Sequence, residues 1–107
     1  MNWSVNYLDA LVEREVAELP IDIQAKLRRI ADMIEQLGLP AMREPYIKHL
    51  QGKLWEMRLT GRDGIARAIY VTMSGQRVVI VRAFRKKTQK TPRSEIELAL
   101  KRAEQVK

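Results

Sequence analysis

Three runs rich in β-forming residues, Leu54–Leu59, Ile65–Met73 and Val78–Phe84, are joined by two very short links, Thr60-Gly61-Arg62-Asp63-Gly64 and Ser74-Gly75-Gln76. Links this short predict an antiparallel meander, because parallel neighbours need a crossover of about a dozen residues or more. The rest of the chain has to fit around that sheet. Upstream, Trp3–Leu8 carries aromatic and β-branched residues and reads as a first strand. The period then changes: Leu8, Leu11, Val12, Val16 and Leu19 fall at helical spacing until Pro20 interrupts. Leu27, Ile30, Ala31, Ile34 and Leu37 form the stripe of a second helix that stops at Gly38. Residues 38–52 hold Gly38, Pro40, Pro45 and Gly52 without a sustained period and read as a connecting loop. After a basic loop, Arg85–Lys90, Thr91 is placed as N-cap and Pro92 in the first turn of a last helix with the stripe Ile96, Ala99, Leu100 and Ala103. The expected fold is α+β, in the order β-α-α-β-β-β-α, an antiparallel sheet packed on a helical hairpin with helices against one face. At 107 residues the chain, 1–107, is expected to be a single domain.

Charge narrows the function. Lys and Arg total 20 against 13 Asp and Glu, a formal net charge of +7. Residues 1–45 hold five basic and eight acidic side chains, and residues 46–107 hold fifteen basic and five acidic. A basic half points to a polyanionic partner, most often nucleic acid, with a merely solubilising surface as the alternative. The chain has no cysteine and one histidine, His49, which excludes disulfides, thiolate nucleophiles and multi-histidine metal sites. No cofactor or metal is therefore expected. No apolar run approaches the ~18 residues of a membrane span, and Met1–Ala10 lacks the pattern of a signal peptide. The expectation is a cytoplasmic protein away from membranes.

Strand parity brings the charge into focus. Each of the last three strands holds one internal arginine, Arg58, Arg67 and Arg82. A four-residue loop Gly61–Gly64 pairs Arg58 with Arg67, and either plausible turn near Gly75 leaves Arg67 and Arg82 on one face. That face is expected to carry Glu56, Arg58, Arg67 and Arg82 on a floor of Ile69, Val71, Ile80 and Phe84. The opposite, apolar face is expected to carry Trp55, Met57, Leu59, Ala66, Ala68, Tyr70, Val79, Val81 and Ala83. Like charges facing each other across strands are unfavourable by up to ~1 kcal/mol, so an arginine ladder asks for an anion. With the loop Lys86-Lys87-Thr88-Gln89-Lys90 and the pair Lys48-His49, the ladder reads as a phosphate-binding cleft. Arginine stems lying on the sheet with their heads in solvent are the alternative.

The segments Arg43-Glu44-Pro45-Tyr46-Ile47-Lys48-His49-Leu50, Lys53-Leu54-Trp55-Glu56-Met57-Arg58, Gly64-Ile65-Ala66-Arg67 and Ala83-Phe84-Arg85-Lys86-Lys87-Thr88-Gln89-Lys90-Thr91-Pro92 resemble, in this order, the phage-derived, HigB-like branch of the RelE/ParE toxin superfamily. The resemblance implies a RelE-like fold and the toxin of a type II toxin–antitoxin pair. It implies a metal-independent, ribosome-dependent mRNA endoribonuclease that blocks translation. It also implies a helix-turn-helix antitoxin as partner, with ribosome and mRNA as targets and operator DNA reached only through the antitoxin complex. Family catalytic positions fall on Arg58, Arg67, Lys86 and Lys87. Several relatives have a late tyrosine or histidine, but here neither follows Tyr70.

Attack of the RNA 2′-hydroxyl on the adjacent phosphate needs charge stabilisation on phosphorus and two proton transfers. Arginine supplies fixed bidentate donors, and a lysine crowded by cations can act as base. His49, Lys48, Lys53 and Lys86 are the candidate bases. The candidate catalytic set is Arg58, Arg67, Arg82, Lys86, Lys87 and His49, and the candidate RNA-binding set is Lys48, Lys53, Arg85 and Lys90. The competing readings are a ParE-like inhibitor of DNA gyrase without nuclease activity and a non-catalytic RNA-binding module.

Overall fold

The computed structural model describes residues 2–87 and 90–106. Its elements are β1 (Ser4–Tyr7), α1 (Ala10–Ala17), α2 (Ile21–Leu37), a 3-10 turn (Leu39–Ala41), β2 (Ile47–Gln51), β3 (Leu54–Gly61), β4 (Gly64–Met73), β5 (Arg77–Lys86) and α3 (Arg93–Ala103). Helix α1 begins where the Asp9 carboxylate accepts from the Val12 amide at 3.0 Å, and Pro20 separates it from α2. Helix α2 ends at Gly38, whose φ of +87° suits glycine and where a Cβ would come within 3.1 Å of the Trp3 indole nitrogen.

The five strands form one sheet in the order β1-β5-β4-β3-β2. The meander β3-β4-β5 is antiparallel as expected, with Arg58 opposite Arg67. Three features depart from the expected plan. A fourth antiparallel strand, β2, lies in the segment expected to be loop. Strand β1 pairs with β5 in parallel, so the sheet is mixed and not purely antiparallel. Helix α3 packs on β4 and β5 from the side opposite α1 and α2, so helices cover both faces.

The core is accordingly double. On the hairpin side Val12, Val16, Ile23, Leu27, Ile30 and Ile34 pack on Met57, Leu59, Ala66, Ala68, Tyr70, Val78 and Ile80. On the α3 side Ala99 and Ala103 pack on Leu54, Ile69, Val71, Val79, Val81 and Phe84. The expected faces of β5 are corrected here: Val79 and Val81 lie under α3, while Ile80 belongs to the hairpin core. The cause is a bulge, since Ile69 faces Arg82 and Tyr70 faces Ile80, leaving Val81 as the extra residue. Leu37, expected on the α2 stripe, is 66% exposed, and Trp55, expected in the core, is 37% exposed. No helix among the described residues is long and apolar enough to cross a membrane.

Candidate active site

Four strands place charged side chains on the α3 face. Across the sheet, Lys48 of β2 stands opposite Glu56 of β3, and Arg58 of β3 stands opposite Arg67 of β4. Lys86 lies near the end of β5, opposite Ile65 and two residues past Phe84, which faces Arg67. Glu56, Arg67 and Lys86 are the buried charged residues of the described chain, 2%, 3% and 7% exposed. Arg67 Nε lies 3.3 Å from Glu56 Oε2, and its Nη1 donates to the Ala66 carbonyl at 2.9 Å. The second Glu56 oxygen accepts from the Thr91 hydroxyl at 2.7 Å. Thr91 is therefore no helix cap: α3 starts at Arg93 after Pro92, and the threonine ties the β5–α3 connection to the cluster.

The electrostatics follow from burial and crowding. Burial first, then the charge of Arg58, lowers the Arg67 pKa against the pull of Glu56. Lys86 is held below the ordinary lysine range by burial and then by Arg67, with Arg58 and Lys48 adding to the effect and Glu56 opposing it. One buried carboxylate thus faces two buried cations, with the half-buried Arg58 and exposed Lys48 beside them. Excess positive charge of this kind, removed from water, favours an anion or a deprotonated lysine.

Other candidates lie elsewhere. Arg82 is on the same face but is held by carboxylates: its Nε and Nη2 donate to Glu95 at 2.6 and 3.1 Å, and its Nη1 pairs with Glu15 at 2.8 Å. The hydrogen bonds it donates to Glu95 raise its pKa. The expected three-arginine ladder is therefore a pair, Arg58 and Arg67, with Arg82 committed to a structural network. His49 and Lys48 are neighbours on β2, and alternation sends them to opposite faces. The His49 ring donates through Nε2 to the Gly52 carbonyl at 2.7 Å and lies 4.9 Å from the Trp55 ring. It lines an apolar cavity of 640 Å³ with Trp3, Trp55 and Tyr70, away from the arginine pair. Arg85 is opposite Ala66 on the hairpin face and donates to the Asp63 carbonyl at 3.4 Å. Lys53 is exposed in the β2–β3 turn. Lys87 and Lys90 are exposed in the connection to α3, whose Thr88 and Gln89 lie outside the described residues.

Residues that local pattern does not announce complete the picture. Glu15 of α1 accepts from the Ala83 amide at 3.2 Å and from Arg102 at 2.9 Å, and Arg102 also donates to the Val81 carbonyl. These bonds cover the β5 edge beyond Ile80, where β1 has ended. Burial alone would raise the Glu15 carboxyl, but the bonds from Arg102 and Ala83 and the charge of Arg82 outweigh it and hold its pKa below the usual value. Sequence separations of 68 and 87 residues leave no signal for such contacts in a one-dimensional pattern.

The mixed five-stranded sheet, with a helical hairpin on one face and a charged cluster on the other, defines the RelE-like α+β fold. The free-state structure of the E. coli toxin RelE, a double arginine-to-alanine mutant, matches with a TM-score of 0.67 at 16% identity, over 95% of this chain and 98% of that one. The archaeal RelE–RelB complex from Pyrococcus horikoshii OT3 matches with a TM-score of 0.58 at 22% identity, over 79% of this chain and 96% of that one. The chain belongs to the family described as Phage derived protein Gp49-like (DUF891), whose model matches residues 14–104. No curated protein sequence matches it significantly.

Proposed function

We propose that this protein is the toxin of a type II toxin–antitoxin pair and acts in the cytoplasm as a metal-independent, ribosome-dependent mRNA endoribonuclease. The observation that carries the reading is the cation cluster on the α3 face: Arg58 opposite Arg67, with Lys86 and Lys48 beside them and one buried carboxylate to balance them. Arg58 and Arg67 grip the scissile phosphate and stabilise the charge that grows on its oxygens. Lys86, with its lowered pKa, takes the proton of the 2′-hydroxyl. The 2′-oxygen bonds to phosphorus as the bond to the 5′-oxygen breaks, and an exposed ammonium such as Lys48 or Lys87 gives that oxygen its proton. The products are a 2′,3′-cyclic phosphate and a 5′-hydroxyl. Glu56 positions Arg67 and, through Thr91, the basic connection that carries Lys87 and Lys90.

The likeness to a RelE–RelB complex supports an antitoxin partner, and a helix-turn-helix protein is the form proposed here. The test is incubation of the purified protein with ribosomes programmed with a defined mRNA, followed by mapping of the new ends. Cuts within the decoded codon that leave 5′-hydroxyl ends are expected. Intact mRNA together with inhibited gyrase supercoiling would replace this reading with a ParE-like one.

A further inference from the structure

The cation cluster does not end at the sheet. Strand β2 stops short, so β3 is an open edge beyond Met57, and there the Tyr46 carbonyl accepts from the Arg58 amide at 2.8 Å. At this edge a groove of 340 Å³ runs between α2 and β3, lined by Lys26, Arg29, Pro45, Tyr46, Arg58 and Thr60 together with apolar side chains of α2. No carboxylate lines it among the described residues. Of the acids on the same helix, Asp22 accepts from the Arg62 amide at 2.6 Å one turn before Lys26, and Asp32 and Glu35 line the groove on the β1 side. Lys26 and Arg29 are exposed, and the Tyr46 side chain stands 45% exposed beside them. Arg58 belongs both to this groove and to the arginine pair, so the two positive surfaces are continuous around the edge of β3.

We infer that this groove is a nucleotide subsite for single-stranded RNA, in which a base next to the cleaved linkage stacks on Tyr46 while Lys26 and Arg29 hold the following phosphate. The inference rests on the RNA-cleavage reading for its ligand, but its geometry is independent of Lys86. An exposed aromatic ring flanked by three cations and no carboxylate matches a base and its phosphate. A protein partner's apolar side chain would leave the cations without partners. Stacking on a ring needs no hydrogen-bond code, so the subsite adds affinity and register with little base preference.

The test measures binding of a fluorescent 2′-O-methyl oligoribonucleotide of about ten nucleotides, which cannot be cut and fits the usual single-strand site sizes. Tyr46→Ala should weaken binding by roughly five- to a hundredfold, and Tyr46→Phe should restore most of it. Arg29→Ala should weaken binding and reduce the salt slope by about one, the signature of one lost phosphate contact. Arg28→Ala removes the same charge from the other side of α2, where Arg28 lines the groove toward β1, and should leave binding close to wild type. The inference is overturned if the wild type does not bind, if Tyr46→Ala binds normally, or if Arg28→Ala matches Arg29→Ala. Tyr46-dependent binding without any mRNA cleavage on ribosomes removes the cleavage reading and keeps the subsite. Cleavage that is indifferent to Tyr46→Ala, with unchanged binding, removes the subsite and keeps the cleavage reading.

Discussion

Arg58 and Arg67 face each other across β3 and β4, yet they differ in what else they hold. Arg67 is tied to Glu56, so its removal also strands a buried carboxylate, a loss that costs ~3–5 kcal/mol when a buried pair is broken. Arg58 is half-buried and has no carboxylate within ion-pair distance among the described residues, which makes it the cleaner probe. Arg58→Ala should reduce mRNA cleavage by two to three orders of magnitude, the loss of a preorganised donor worth ~2–4 kcal/mol. Its thermal midpoint should hold or rise slightly as cross-strand repulsion is relieved. Cleavage assays on ribosomes and calorimetry on the same preparation check both. Lys86 has a pH signature with a definite sign. Its folded pKa lies below the unfolded 10.5, so the unfolded chain binds more protons in the window between the two values. Stability should therefore rise with pH through that window, as should cleavage while the amine is the base. Lys86→Met should abolish both slopes, and a wild-type cleavage rate that is flat over this window would remove Lys86 from the base role.

At the level of elements, the bulge at Val81 leaves Arg82 on the face of Arg67, and the carboxylates of Glu15 and Glu95 on α1 and α3 explain why the ladder of three arginines became a pair. Period-2 alternation identified the strands and aligned Arg58 with Arg67, because the Gly61–Gly64 hairpin is short enough to dictate its own register. The same reasoning could not see the bulge, since an extra residue in β5 leaves composition and hydrophobic content unchanged. Strand β2 escaped because five residues, Ile47 to Gln51, sit between Pro45 and Gly52 and carry Lys48 and His49 outward. Parallel pairing of β1 with β5 and the placing of α3 on the far face are set by tertiary packing. The outcome for Arg82 reverses accordingly. Arg82→Ala should lower the thermal midpoint by about 5–15 °C, from the loss of ~1–2 kcal/mol of charge-assisted hydrogen bonding at this domain size. Activity per folded molecule should stay near wild type. Glu15, the carboxylate at the centre of that network, has a folded pKa below the unfolded 4.5, so its contribution is complete above that value. It is lost as pH falls through the depressed folded value, and Glu15→Gln should flatten the acid limb of a stability–pH curve.

For the molecule as a whole, the uneven charge divides the labour between surfaces. Helix α1 and its flanks carry Asp9, Glu13, Glu15 and Glu18, whereas the α3 face and the β3 edge gather Lys48, Arg58, Arg67 and Lys86, joined by Lys26 and Arg29 from α2. A positive surface that curves around a sheet edge suits a bent single strand, and its affinity should fall steeply with salt. A partner that shields this surface neutralises the protein by charge alone, so co-expression with its antitoxin should yield a stable complex that no longer binds the oligoribonucleotide. On the function proposed here, the same surface decides what the free protein stops in a cell. Gyrase inhibition proceeds by protein contact and has no use for converging phosphate-binding cations, whereas cleavage of decoded mRNA needs them. Induced expression should therefore halt amino-acid incorporation within minutes while thymidine incorporation continues at first. Arg58→Ala should relieve the arrest and Arg77→Ala, at the β4–β5 turn where its Nε bonds the Ser74 carbonyl, should not. Pulse-labelling of the two pools after induction distinguishes the cases: early loss of DNA synthesis with translation intact would assign the protein to gyrase, and the arginine pair to the fold alone.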